Sequence, residues 1–284
     1  SDAFASGAPH FLYQNNIGIG SAPNFWTGLP TSEISKKGPG FYVLAVQDAG
    51  WEHVKKFDIG FDMMLFNQLN ITFDYFHDKR ERILMSRASW PSMLGYWGSK
   101  PWSNIGEVEN QGFELSLNWT KQFGKDLTLD LRGNFTYNQN EYKYVDEPSY
   151  PYVWQTNTGK PLNTVKGYIA EGLFTSEEEI ANSPDQSQLG ANIMPGDIKY
   201  RDLNGDGKIT EDDQCMISKY GSVPRLQYGF GGTINYKKFD FGIFFSGSAL
   251  RSILINGLDP FLEGNRIPNK NVLKFIADNH WSVD

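Results

Sequence analysis

The sequence predicts an all-β fold: an antiparallel transmembrane β-barrel with long extracellular loops. Three observations carry this. Three pairs of segments alternate apolar and polar residues with a period of two, which is the signature of a strand with one apolar face. The segments run to roughly 9–11 residues, long enough to cross a bilayer at a tilt. The links within each pair are tight while those between pairs are very long, as in outer-membrane barrels with short periplasmic turns.

The clearest pair lies between Gly112 and Tyr137. Phe113, Leu115, Leu117 and Trp119 alternate with Glu114, Ser116 and Asn118, and after a turn over 121–125 the return carries Leu127, Leu129, Leu131, Phe135 and Tyr137 against Thr128, Asp130, Arg132, Asn134 and Thr136. An earlier pair has Phe57, Ile59, Phe61, Met63 and Leu65 on one face, a turn at Asn67 and Gln68, and Leu69, Ile71, Phe73 and Tyr75 leading back. A later one has Leu226, Tyr228, Phe230, Ile234 and Tyr236, a turn at Lys237 and Lys238, then Phe239, Phe241, Ile243 and Phe245. Residues 1–56, rich in Gly, Pro, Ser and Asn, read mostly as loop with one extended run from Phe41 to Gln47. Residues 79–111 and 138–224 read as long aromatic and acidic connections, the second with a short helix over Ser176 to Ala181 capped by Ser176.

A soluble β-sandwich also alternates apolar and polar residues. Two features favour a membrane: Tyr75, Phe76, Trp119, Tyr137, Tyr228 and Tyr236 cluster near strand ends as an aromatic girdle would, and the strands exceed the usual length of about 5–6 residues. Composition is compatible with either. The chain of 284 residues is 39% hydrophobic and 15% aromatic with a net charge of −7, so it can bury a core, and its basic residues form no stripe suited to nucleic acid. A mean hydropathy of −0.46 averages over the two faces of a barrel strand and excludes nothing. No run of about eighteen apolar residues suggests a membrane helix. Ser1 begins neither a charged nor an apolar leader, so export would be specified elsewhere in a longer polypeptide. Cys215 is the only cysteine and the four histidines are far apart, which leaves no zinc site or catalytic dyad.

One loop carries a metal pattern. From Asp202 to Asp213 the sequence fits an EF-hand-like calcium loop, with Asp202, Asn204 and Asp206 at positions one, three and five, Gly207 at the sharp turn and the Lys208 carbonyl at position seven. Asp213 at position twelve is shorter than the usual glutamate. Hard oxygen ligands favour Ca2+, in a structural role. Trp90, Tyr96, Trp97, Trp102 and Trp154 are candidate contacts for a ligand or partner protein, because exposed rings stack on sugars and anchor interfaces; they can equally pack the loops. Gly229, Gly231 and Gly232 read as strand glycines on a crowded wall rather than a nucleotide fingerprint, since no helix follows. The glutamates at 107, 109, 114 and 177–179 could supply paired carboxylates for glycoside hydrolysis, but spacing alone does not set their separation.

Several runs resemble the SusC/RagA family of TonB-dependent outer-membrane transporters, nutrient importers of Bacteroidetes. They are Ser103 to Asn118, Gly167-Tyr168 with Gly172 to Ile180, Pro195 to Ile209, Pro224 to Phe230 and Phe239 to Phe245. The resemblance implies a barrel of about 22 strands closed by an N-terminal plug. It also implies a TonB-box peptide engaging TonB–ExbB–ExbD, a SusD-like surface lipoprotein, contact with outer-membrane lipid, and an oligosaccharide or peptide ligand. The chain then reads as a fragment of that barrel, from its C-terminal half, with plug, TonB box and signal peptide lying elsewhere. The function expected is active import of an oligomeric nutrient without catalysis. The alternatives are a secreted calcium-stabilised carbohydrate-binding module and a glycoside hydrolase domain.

Overall fold

Six strands form one antiparallel sheet in the order β14 (Phe239–Ala249), β13 (Leu226–Tyr236), β8 (Leu127–Tyr144), β7 (Trp102–Phe123), β6 (Leu69–Ser86) and β5 (His53–Leu65). The computed structural model describes residues 11–18, 24–27, 34–38, 40–46, 48–91, 100–190, 192–254, 274, 278, 279 and 281. Before the sheet come four short strands, β1 (Asn16–Gly18), β2 (Asn24–Thr27), β3 (Ile34–Lys37) and β4 (Gly40–Val43). The sheet itself is β5 (His53–Leu65), β6 (Leu69–Ser86), β7 (Trp102–Phe123) and β8 (Leu127–Tyr144), joined after an insertion by β13 (Leu226–Tyr236) and β14 (Phe239–Ala249). The insertion holds the short strands β9 (Lys166–Gly167), β10 (Ala170–Leu173), β11 (Ile198–Tyr200) and β12 (Cys215–Met216), with helix α1 (Glu177–Ala181). The sheet and the insertion, residues 151–155 and 163–224 with 251–284, are separate compact units.

All three hairpins form; in the middle one the turn expected over 121–125 narrows to 124–126, because β7 runs on to Phe123 and pairs there with Leu127. Phe66 and Asn67 adopt left-handed backbone (φ 54° and 52°) in the three-residue turn 66–68, as does Lys237 (φ 56°) in the two-residue turn 237–238, which is how tight turns match the twist of the strands they join. On the outward face the apolar side chains are unburied: Phe61 is 51% exposed, Ile59 59% and Phe241 66%. A sandwich would cover that face with a second sheet; a barrel leaves it to lipid. Phe61, Phe73, Phe113 and Phe135 form a row of stacked rings across β5 to β8, with centroids 5.6, 6.1 and 5.6 Å apart. The opposite face is polar and knitted across strands: Thr72 donates to Asp62 (2.6 Å), and Asp130 accepts from Thr120 (2.7 Å) and Asn235 (3.1 Å).

The strands run further than the apolar alternation indicates. Most of 79–111 is not a connection: β6 continues to Ser86 and β7 begins at Trp102, so the link shrinks to 87–101. Likewise β8 continues through 138–144. Beyond the bilayer both faces are wet, so the period-two apolar signal vanishes while the hydrogen-bond ladder persists. Its outward side chains become an ionic belt. Lys55 and Lys79 reach Glu81 (2.8 and 2.7 Å), Lys79 also lies 3.4 Å from Glu107, and Glu109 meets Lys143 (2.7 Å) and His77 (2.5 Å). Opposite charges facing one another across strands replace the rings below them. The β6–β7 register shifts around Arg82, whose φ of 57° marks a bulge.

Residues 1–56 also differ from a loop reading. β1 pairs with β4 and β2 with β3, and the run expected over 41–47 contributes Phe41 to Val43 of β4. Strands of three or four residues hold too few alternations to show a period. Leu12 and Val46 pack with Leu84 of β6, and Trp102 lies against this cluster. That places Trp102 at a strand start rather than in a loop.

Candidate functional site

In the insertion unit the acidic turn is built from its own backbone. Asp202 accepts from the N–H groups of Gly205 (2.6 Å, Oδ1) and Gly207 (2.8 Å, Oδ2), Asn204 Oδ1 from Asp206 N–H (3.0 Å), and Asp206 Oδ1 from Lys208 N–H (2.8 Å). Gly205 and Gly207 sit at φ 77° and 82°, where a side chain would be strained. Ile209 points inward, fully buried, and its N–H donates to the Asp185 carbonyl at 2.8 Å, tying the turn to a neighbouring segment. Asp213 is also fully buried: Oδ1 accepts from Leu203 and Asn204 N–H (2.8 and 3.4 Å) and Oδ2 from Thr210 N–H (2.8 Å). Thr210 caps the short turn over Glu211–Asp213 and Asp213 closes that capping box. The side chains at positions one, three and five thus stand in EF-hand order, while the residue at position twelve braces the loop. Asp213 retains lone-pair capacity for at most about one further contact.

Trp154 packs against this turn. Its Nε1 donates to the Asp212 carbonyl (2.9 Å) and its ring stacks on Tyr152 at 4.5 Å, nearly parallel. Gln155, buried beside it, donates to Glu211 O and Asp212 Oδ1, both at 3.3 Å. In the sheet unit Trp90 follows Ser89, whose N–H and hydroxyl donate to the buried Asp146 (2.9 and 2.8 Å). Burial pushes the Asp146 carboxyl upward, but the Ser89 hydrogen bonds and the Arg87 charge outweigh it and hold the group below its ordinary range. Tyr96 and Trp97 lie outside the described residues. The structure therefore brings Trp154 to the acidic turn and puts Trp102 in the sheet, at the start of β7.

Sequence reasoning passed over the polar side chains that hold these loops. Gln186, buried, donates to Ile198 O (3.0 Å) and accepts from Tyr200 N–H (2.8 Å), pinning β11; Glu147 gathers the N–H groups of Asn157 and Thr158 (2.9 and 3.1 Å). Helix α1 forms as expected with Ser176 as its N-cap, accepting from Glu179 N–H at 3.2 Å. The Thr175 N–H (3.0 Å) and hydroxyl (2.8 Å), with Lys199 (3.1 Å), bind the Glu179 carboxylate and hold its pKa down to about 2. A depressed carboxyl pKa stabilises the fold above the ordinary glutamate range and loses that contribution as pH falls toward the folded value. The protection factor of the Thr175 amide, its exchange relative to the intrinsic rate at each pH, should therefore be constant down to about pH 4.5 and decline from there to about pH 2, a decline that Glu179→Gln removes.

The model of the TonB-dependent receptor-like β-barrel family matches residues 13–268. The chain belongs to this family. TonB-dependent receptor P3 of Formosa agariphila is 31% identical over 218 residues, 72% of this chain and 21% of that receptor. TonB-dependent receptor SusC of Bacteroides thetaiotaomicron is 30% identical over 147 residues, 49% of this chain and 14% of SusC. Among solved structures, the RagAB peptide transporter aligns with a TM-score of 0.58 at 16% identity, over 87% of this chain and 25% of that one, which shows the shared fold. This receptor chain thus spans about a fifth of the P3 receptor's length. Its six strands are a sector of an outer-membrane barrel wall; Tyr75, Trp119, Tyr137, Tyr228 and Tyr236 lie on the apolar face with the ionic belt, whereas Phe76, expected in the same aromatic girdle, falls on the polar face opposite Asp58 and Gly112.

Proposed function

We propose that this receptor imports an oligomeric nutrient, glycan or peptide, as the SusC-like channel of a complex with a SusD-like surface lipoprotein, energised by TonB–ExbB–ExbD. The observation that carries the reading is the family match over most of a sheet whose outward face is bare and apolar and whose other face is polar. Similarity to SusC and the fold shared with the RagAB peptide transporter support an importer over a receptor of another kind. The chain supplies wall and loops, and no bond-breaking step is assigned to it. The full-length protein, purified in detergent from native outer membranes, should carry a lipoprotein with it. Recovery without any lipoprotein partner would overturn the two-component reading, and recovery in the soluble fraction would overturn import.

The acidic turn is a structural calcium site in this reading. Asp202, Asn204 and Asp206 supply side-chain oxygens and Lys208 its carbonyl, a hard-oxygen set suited to Ca2+. Trp90, Trp97, Tyr96, Trp102 and Trp154 remain candidate contacts for ligand or lipoprotein. With so few strong donors, affinity should fall in the weak range of extracellular modules, about 10⁻⁴–10⁻³ M. Millimolar Ca2+ should slow proteolytic cleavage within 202–213 of the full-length receptor, and chelation should restore it. Equal protection in an Asp202→Asn, Asp206→Asn double variant would sink the site.

A further inference from the structure

The outward face of the wall is not evenly filled. Gly133 stands between Leu117 and Phe230, and Gly232 between Leu131 and Ile243, so two adjacent levels of the lipid-facing surface lack a side chain where their neighbours carry large ones. The result is a groove of about 580 Å³ lined by Leu117, Trp119, Leu131, Phe230, Ile234 and Ile243, with a second hollow of about 280 Å³ meeting it at Gly133. Arg132 borders the groove through its place in the strand, but its guanidinium lies over the Phe244 ring at 4.8 Å on the lumen face. The lining side chains are apolar.

The groove extends toward the hairpin turns, the periplasmic side in the barrel reading. It reaches Leu129, Ile234 and Phe241, close to the turns that close β7–β8 and β13–β14. Those turns carry Lys125, Lys237 and Lys238, with Lys121 just above on the outward face of β7. The turns are fastened together: Lys237 N–H donates to the Asp126 carbonyl at 2.9 Å. Four lysines therefore lie at or beside the turns below an apolar groove that is continuous with the lipid-facing surface, Lys121 Nζ over the Phe123 ring and Lys237 Nζ over the Tyr236 ring (5.3 Å each), with Asp126 and Asp240 the acids nearest them in sequence. Apolar length above and positive charge below match the chain and phosphate of a phospholipid standing in the periplasmic leaflet.

We propose that this sector holds a phospholipid of the periplasmic leaflet, one acyl chain in the groove at Gly133 and Gly232 and its phosphate against the turn lysines. The proposal rests on the outer-membrane barrel reading. Gly133 is the residue to change, because a Cβ there meets only Gly229 O at 3.7 Å, whereas one at Gly232 would strike Asp130 O at 2.8 Å. The test uses the full-length receptor in nanodiscs of phosphatidylethanolamine and phosphatidylglycerol containing a phosphatidylglycerol with a photoactivatable acyl chain. After irradiation, adducts should concentrate on peptides covering 117–133 and 228–245, in excess over the 57–65 face. Gly133→Leu should lower those adducts about fivefold, the loss of a methylene or two of burial, and leave the 57–65 adducts unchanged. Lys121→Glu with Lys237→Glu should lower them by a similar factor per lysine and make the remainder insensitive to salt. Adducts spread evenly over the outward face, adducts unaffected by Gly133→Leu, or cross-links to a second copy of the receptor would each overturn the proposal. Failure of the receptor to enter the outer membrane at all would count against the barrel reading instead. Heat-modifiable migration of each variant shows that its barrel has formed.

Discussion

Replacing Leu117 with arginine should strip the receptor from the outer membrane, while arginine at neighbouring Ser116 should leave assembly intact. Leu117 lies midway along the bilayer-crossing part of β7, between Gln111 at the upper edge and Phe123 at the turn, and its side chain faces outward beside Ile71 and Gly133. An arginine on the lipid face near the midplane costs about 2–4 kcal/mol, whereas Ser116 faces the polar lumen, where charge is solvated. The readout is the heat-modifiable band in outer-membrane fractions. Loss in Leu117→Arg alone identifies the apolar face as the lipid face. Equal loss in both variants would mean that β7 tolerates no charge on either side, and the assignment of faces would fall.

Asp213→Ala should collapse the acidic turn without disturbing the wall. The carboxylate accepts three backbone N–H groups in a site with no solvent access, so truncation leaves buried donors unpaired at about 1–3 kcal/mol each. The sheet shares none of these bonds. Hydrogen exchange should therefore show loss of protection confined to about 202–213 and the segment around Asp185, with β5 to β8 unchanged. Protection lost in the sheet as well would show that turn and wall unfold together. Because Asp213 braces the loop more than it offers donors, the collapse should occur in chelator as well as in Ca2+, unlike the Asp202 and Asp206 variants.

The bilayer explains why the hairpins could be read from the sequence. Lipid on one side and water on the other force Phe57 to Leu65 or Leu127 to Tyr137 into strict alternation. Above the girdle that pressure ends: His77, Lys79, Glu107 and Glu109 still sit in strands, yet charged residues on wet surfaces show no apolar period. The acidic turn was legible for another reason, since twelve contiguous residues contain its whole pattern. Gln186, Asp146 and Glu147 were not, because a single buried polar residue signals nothing until its partner is known. Gln186 meets Ile198 and Tyr200 in a later strand, and Asp146 meets Ser89 on the far side of β7.

The length of β7 has a mechanical consequence. Its 22 residues extend for roughly 70 Å, and even at a tilt of about 40° a bilayer band of about 25 Å accounts for only part of that height. The remainder is a rim beyond the band, laced by main-chain bonds and ion pairs and bent at the Arg82 bulge. Such a rim resists widening, because opening it would mean parting strands along a whole ladder.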